Sequence, residues 1–137
     1  MTDYLVDNSV WARLATGDPG ITARLRRIER TPSDLFVTCP PQVLEFCHSA
    51  RAPEEHARYR EGITLGFPLE RAPDESLVLD LQAALWGAGL VRAAGTVDLL
   101  IAGYAIANDA TVLAADHDFD YIARVSDLRH EYVAPSG

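Results

Sequence analysis

Four carboxylates stand out by where they sit. Asp7 closes the apolar run Tyr4-Leu5-Val6, and Asp116 closes Val112-Leu113-Ala114-Ala115, so both follow strand-like segments. Asp98 is the only charged residue from Val97 to Ala107, inside an otherwise apolar helical run. A carboxylate there is costly unless it is paired, holds a metal ion or satisfies free N–H groups in the first helical turn. Glu45 lies on a helical stretch but off its apolar stripe of Val43, Phe46, Cys47 and Ala50, so it faces either solvent or a cleft. Asp118 follows Asp116 by two residues, a spacing that suits a divalent cation or leaves Asp118 as a helix cap. Taken singly, each acid has a structural alternative, because aspartate after a strand also serves turns and caps. Taken together, they would repel one another within a few ångströms. A hard cation such as Mg²⁺ or Mn²⁺, which takes oxygen ligands and keeps several waters, resolves that repulsion.

The elements that must position these acids alternate between strand and helix. Tyr4–Val6 reads as a short buried strand, and Asn8 and Ser9 suit the cap of a helix that Gly17 breaks. Asp18-Pro19 opens a second helix to about Arg30. Leu35–Thr38 is the next strand, and Pro40-Pro41 opens a helix to about Arg51. A charged helix follows from Pro53 to about Thr64, and Phe67-Pro68-Leu69 suits a short edge strand, where proline is tolerated. Asp74 caps a long helix ended by Gly87 and Gly89. Thr96 caps the helix that carries Asp98 to about Asn108. Thr111–Ala114 is a strand, Asp118–Val125 a helix and Glu131–Val133 a last strand. Such alternation gives an α/β fold, a short parallel sheet with helices on both faces. No linker or repeat divides the chain, so residues 1–137 read as one domain with a frayed tail at 134–137.

Composition narrows the function. The net charge is −8, which argues against binding of nucleic acid through a broad basic face but not against a metal site made of carboxylates. All 12 basic residues are arginine. Arg24, Arg26, Arg27 and Arg30 share one helix, and Arg13 and Arg92 lie near the acids. These are local contacts for a polyanion or simply a solvated face. Cys39 and Cys47 match no zinc or redox spacing and read as buried thiols. No run is long and apolar enough for a membrane span, and no basic leader opens the chain, so the expected place of action is the cytosol.

The order and surroundings of the acids carry a resemblance. Leu5-Val6-Asp7-Asn8-Ser9, Val43-Leu44-Glu45-Phe46, Val97-Asp98-Leu99-Leu100-Ile101-Ala102 and Val112-Leu113-Ala114-Ala115-Asp116-His117-Asp118-Phe119 are similar to the four motifs of the PIN-domain ribonucleases. The likeness is to the VapC-type toxins of bacterial toxin–antitoxin pairs in particular, and it spans nearly the whole chain. One departure is Ala115, where related sequences often carry a polar residue. The resemblance implies a PIN-like fold and Mg²⁺- or Mn²⁺-dependent cleavage of RNA by water, leaving a 5′-phosphate and a 3′-hydroxyl. It assigns Asp7, Asp98 and Asp116 to the metal and Glu45 to the attacking water. Ser9 and Asp118 become auxiliary residues. It further implies a cognate antitoxin, a homodimer, and a docking role for the Trp11–Leu14 face and the helices from Pro41 to Thr64.

Competing assignments lack their residues. Receiver-type and haloacid-dehalogenase phosphotransfer sites need a lysine, as does a P-loop, and the chain has none. Gly87-Ala88-Gly89 ends a helix instead of following a strand, and no Gly-x-Ser-x-Gly elbow occurs. The alternatives left are a catalytically silent binding module and a metal-dependent DNA nuclease or phosphodiesterase.

Overall fold

The computed structural model describes residues 1–136. The elements run β1 (Thr2–Val6), α1 (Asn8–Ala15), α2 (Pro19–Glu29), β2 (Asp34–Thr38), α3 (Pro40–His48), α4 (Pro53–Ile63) and β3 (Phe67–Pro68). They continue with α5 (Glu75–Gly87), α6 (Thr96–Ala107), β4 (Thr111–Ala114), α7 (Asp118–Arg124) and β5 (Arg129–Tyr132). The five strands form one parallel sheet in the order β3-β2-β1-β4-β5. Leu5 of the central strand pairs with Val37 on one side and Val112 on the other.

Alternation along the strands sends side chains to two cores. Leu5, Val37, Val112 and Ala114 pack with Leu81 and Leu85 of α5, Ile101 and Ala105 of α6, and Phe119 and Ile122 of α7. On the other face Tyr4, Val6 and Leu113 meet Val10 of α1 and Ile21, Leu25 and Ile28 of α2. Each side chain fully buried in this way stabilises the fold by roughly 1.5–3 kcal/mol. α6 approaches α5 closely at Gly103, where an added Cβ would stand 2.8 Å from Val78 Cγ1.

The α/β architecture expected from the sequence is the one observed, and the caps of three helices differ by one residue. Asp7 itself caps α1, because its carboxylate reaches back to the Ser9 N–H, 3.1 Å away. Gly95 caps α6 in place of Thr96, because Asp98 Oδ2 accepts from the Gly95 N–H at 3.2 Å and draws Thr96 into the helix. His117 stands at the cap of α7, and Asp118 is the first residue of that helix. α6 is also less enclosed than its apolar sequence suggests. Leu99, Ile101, Ala102, Gly103 and Ala105 are buried, whereas Val97 and Leu100 are exposed. In the tail, the Ser136 N–H donates to Asp18 Oδ2 at 2.7 Å and the Ser136 hydroxyl accepts from the Gly20 N–H. Gly137 lies outside the described residues. Cys39 and Cys47 are free and buried. No helix among the described residues is long and apolar enough to cross a membrane.

Candidate active site

The strand order reverses at β1, which has β2 on one flank and β4 on the other. In an open parallel sheet, such a reversal leaves a crevice beyond the carboxyl ends of the strands. Asp7 and Asp116 lie beyond those ends of β1 and β4. The Asp7 N–H donates to Leu113 O at 2.8 Å, which locks the end of β1 to its neighbour. Ser9, in the first turn of α1, accepts from the Ala115 N–H at 2.9 Å and so ties the same two strand ends from above.

Glu45 and Asp98 arrive from the helices. α3 is held in place by Gln42, one of the few buried polar residues. Its side-chain amide donates to Val6 O at 2.7 Å, and its Oε1 accepts from the Cys39 N–H that precedes the helix. α6 enters through the Gly95–Asp98 contact described above, which fixes the Asp98 carboxylate in the first turn. The outcome is that Asp7, Glu45 and Asp98 each offer a carboxylate oxygen within 4.8 Å of the others. Ligand oxygens of one Mg²⁺ lie about 3.0 Å apart side by side and about 4.2 Å apart across the ion, so the three carboxylates are close enough to gather around one ion and its bound water.

The electrostatics agree with that donor set. Burial pushes the Asp98 carboxyl up to about 7, against the lowering effect of the Gly95 N–H, and the charges of Asp7, Asp118 and Glu45 add to the rise. Asp7 is raised by burial, opposed by hydrogen bonds from Ser9 and reinforced by Asp116. Glu45 is raised by burial first, then by Asp7, Asp116 and Asp118. Among the described residues, no arginine or histidine forms an ion pair with any of these acids; the pairs present are Arg24–Glu131, Arg58–Glu55 and two histidines on Asp120. The Asp7 Oδ1 atom is buried and has no hydrogen-bond partner. A buried acceptor left unpartnered beside two further carboxylates is the signature of a site completed by a cation. The residues present therefore fit a divalent metal.

The other expected site residues sit beside this trio. Asp116 is outside the set of three mutually close carboxylates; it accepts from the Asp118 N–H at 3.2 Å, and its charge bears on Asp7, Glu45 and Asp118. Asp118 is raised by burial and by Asp116, and its charge in turn raises Asp98. Its carboxyl thus joins the ring of acids from α7. Gln42 is the residue the sequence reading missed. The available signal was its place three residues after Cys39 at the start of a proline-led helix, the N3 position of a capping box.

Arg24 is engaged elsewhere. It binds Glu131 through two hydrogen bonds, at 2.6 and 2.9 Å, and donates to the Tyr4 hydroxyl. Glu131 holds the guanidinium well above its ordinary range. A second concavity lies away from the acids, a groove of about 770 Å³ whose lining includes Trp11, Leu14, Phe36, Phe46, Tyr59 and Phe67. Trp11, Phe46 and Tyr59 form a chain of ring contacts, with centroids 6.1 and 4.9 Å apart.

With this geometry in view, comparison with known proteins gives three findings. The family model described as PIN domain matches residues 4–125. VapC ribonuclease Mb1587 of Mycobacterium bovis and ribonuclease VapC11 of Mycobacterium tuberculosis are each 30% identical over 134 residues, covering 91% of this chain and 95% of theirs. Among solved structures, VapBC2 from Rickettsia felis bound to a promoter DNA fragment superposes with a TM-score of 0.74 at 17% identity, over 96% of this chain and 98% of that one. VapBC-1 from nontypeable Haemophilus influenzae gives a TM-score of 0.71 at 21% identity, with the same coverage.

Proposed function

The chain belongs to the PIN domain family, and on that premise we propose that it is a metal-dependent endoribonuclease acting in the cytoplasm as the toxin of a toxin–antitoxin pair. The observation that carries this reading is the convergence of Asp7, Glu45 and Asp98 around the unpartnered Asp7 Oδ1. Residues 1–137 act as a single nuclease domain.

Asp7 and Asp98 would hold Mg²⁺ or Mn²⁺, with Asp116 a direct or water-bridged ligand and Asp118 a helper through Asp98. When bound, the cation supplies charge neutralisation and Lewis acidity toward a phosphodiester. Glu45, half-buried and raised above its ordinary range, takes the proton of the attacking water. Asp7 and Asp98 fix where the phosphate is drawn, and the Ser9 contacts keep Asp7 in that position. The water oxygen bonds to phosphorus as the bond to the 3′ oxygen breaks; that oxygen takes a proton from solvent, and Glu45 later returns its proton to solvent, giving a 5′-phosphate and a 3′-hydroxyl.

The aromatic groove is the proposed seat of the antitoxin. The Trp11 ring lines the groove with Phe46 and Tyr59, so an apolar peptide segment would bury these rings on docking. A homodimer is proposed from the exposed apolar side chains Leu44, Trp86, Val97 and Leu100 on α3, α5 and α6.

The test is incubation of the purified chain, free of antitoxin, with a mixed RNA pool in Mg²⁺, Mn²⁺ or EDTA, beside Asp98→Asn and with single- and double-stranded DNA in parallel. Cleavage of RNA that needs both metal and Asp98 is the expected result. Cleavage of DNA in preference to RNA would make the chain a DNA nuclease, and no cleavage by the folded chain would make it a silent binding module.

A further inference from the structure

A pair of stacked rings stands next to the acids and takes no part in the chemistry described above. His117 and Tyr132 have ring centroids 4.3 Å apart with planes inclined by 29°. His117 lies between Asp116 and Asp118 in the chain, at the cap of α7 beyond the carboxyl end of β4. Tyr132 ends β5, where it pairs in register with Ala114, the last residue of β4. Both are exposed: the His117 side chain keeps 61% of its surface accessible and Tyr132 keeps 37%.

Exposed aromatic rings usually rotate freely, but this pair is anchored from below. His117 Nδ1 contacts Asp120 Oδ2 at 2.6 Å, and the other Asp120 oxygen contacts His130 Nε2. His130, two residues before Tyr132, is on the same strand face and largely covered. One carboxylate of α7 therefore fixes a ring on the α7 cap and a ring on β5. Glu131, on the opposite strand face, is clamped by Arg24. The strand end that presents Tyr132 is thereby pinned on both sides.

We infer that the His117–Tyr132 pair is a stacking platform for a base of single-stranded RNA next to the cleaved phosphate, and that it contributes to base preference at that position. The inference rests on the nuclease reading above. Three features point to it. A fixed, solvent-facing ring pair suits the flat face of an unstacked base. His117 stands between Asp116 and Asp118 in the chain, and Tyr132 is in register with Ala114, two residues before Asp116. The net charge of −8 leaves the chain without a broad basic face for the phosphates, so base stacking has to supply affinity that charge does not. Tyr132 is then a specificity-determining residue, and Asp120 a positioning residue acting through His117.

The experiment compares the wild-type chain with Tyr132→Ala, Tyr132→Phe and Asp120→Asn on short single-stranded RNA oligonucleotides that differ at one base beside the cleavage point, in Mg²⁺ or Mn²⁺, with melting temperature measured for each. Tyr132→Ala is expected to raise KM about tenfold and flatten the base preference, with kcat within a factor of about three, while Tyr132→Phe keeps the wild-type profile. Asp120→Asn is expected to blunt the preference partially. A Tyr132→Ala chain with wild-type KM and wild-type base profile overturns the stacking inference and leaves the nuclease reading standing. A KM change shared equally by Tyr132→Phe also overturns it, because the ring is retained there. Failure of the wild-type chain to cut any oligonucleotide removes the nuclease reading, and the platform with it.

Discussion

Gln42 donates its side-chain amide to Val6 O across 2.7 Å and so fastens the helix that carries Glu45 to the strand that ends in Asp7. Both partners are buried, and the contact spans 36 residues of sequence. This link contributes to the spacing of the two acids. Gln42→Leu leaves the Val6 carbonyl and the Cys39 N–H without partners and should cost about 1–3 kcal/mol in urea unfolding. At temperatures where the variant stays folded, kcat should fall while the metal requirement persists. Wild-type stability would show that Gln42 does not hold the two elements together.

The acid ring makes the metal-free chain sensitive to pH. Asp98, raised to about 7, binds a proton in the folded state over a range in which the unfolded chain, near 3.8, has released it. More protons are bound in the folded state there, so stability falls as pH rises from about 4 through about 7. Asp7 and Glu45 are shifted the same way. In EDTA, thermal unfolding should therefore occur at a lower temperature at pH 8 than at pH 5.5. Asp98→Asn should lose part of that difference. A metal-free chain more stable at pH 8 would contradict the burial argument.

Adding the cation should reverse the loss. An ion that binds only the folded chain stabilises it by about 2.7 kcal/mol at one hundred times its dissociation constant. A rise in melting temperature with Mn²⁺ or Mg²⁺ at pH 8 is expected, larger than at pH 5.5, where protons compete for the same oxygens. Asp118→Asn should weaken the ion's binding about 10- to 100-fold in calorimetric titration, because it supports Asp98 from outside. An unchanged affinity would place Asp118 outside the metal's surroundings.

Glu45→Gln separates proton transfer from binding. The amide keeps the side chain's shape but accepts no proton. The expected loss in kcat is about 10²- to 10⁴-fold with KM little changed, read in steady-state cleavage of an RNA oligonucleotide. Equal losses in binding and turnover would make Glu45 a metal ligand instead.

Arg24 belongs to the fold and not to substrate binding. Its two hydrogen bonds to Glu131 join α2 to the edge strand β5, with the side chains about a quarter and a third exposed. Arg24→Ala should lower stability by about 1 kcal/mol, discounted for solvent screening, and leave the salt dependence of RNA cleavage unchanged. A flatter salt dependence would assign Arg24 to RNA after all.

The strands and the apolar helix were legible in the sequence because their signal is local. Three or four buried residues before Asp7 and Asp116 read directly as strand ends, and one acid in the run from Val97 to Ala107 stands out against its neighbours. What was hidden depends on partners distant in sequence. Gln42 looks like an ordinary polar residue until Val6 O is known to lie above it. Arg24 reads as part of a basic helix face until Glu131, 107 residues on, is seen to pair with it. The helix caps shifted by one residue for a related reason. At Asp7, Asp98 and Asp116 a carboxylate reaches a nearby backbone N–H and takes a role the sequence reading gave to a neighbour.

The central place of β1 bears on when the protein becomes dangerous during its own synthesis. β1 is made before β4, its partner on one side, by more than a hundred residues, and Asp98 precedes β4 by little. Pairings across so much sequence close late in folding. A nascent chain that stops before Asp98 carries Asp7 and Glu45, two of the four acids, and no assembled centre. The order of the strands thus delays activity until most of the polypeptide has been translated.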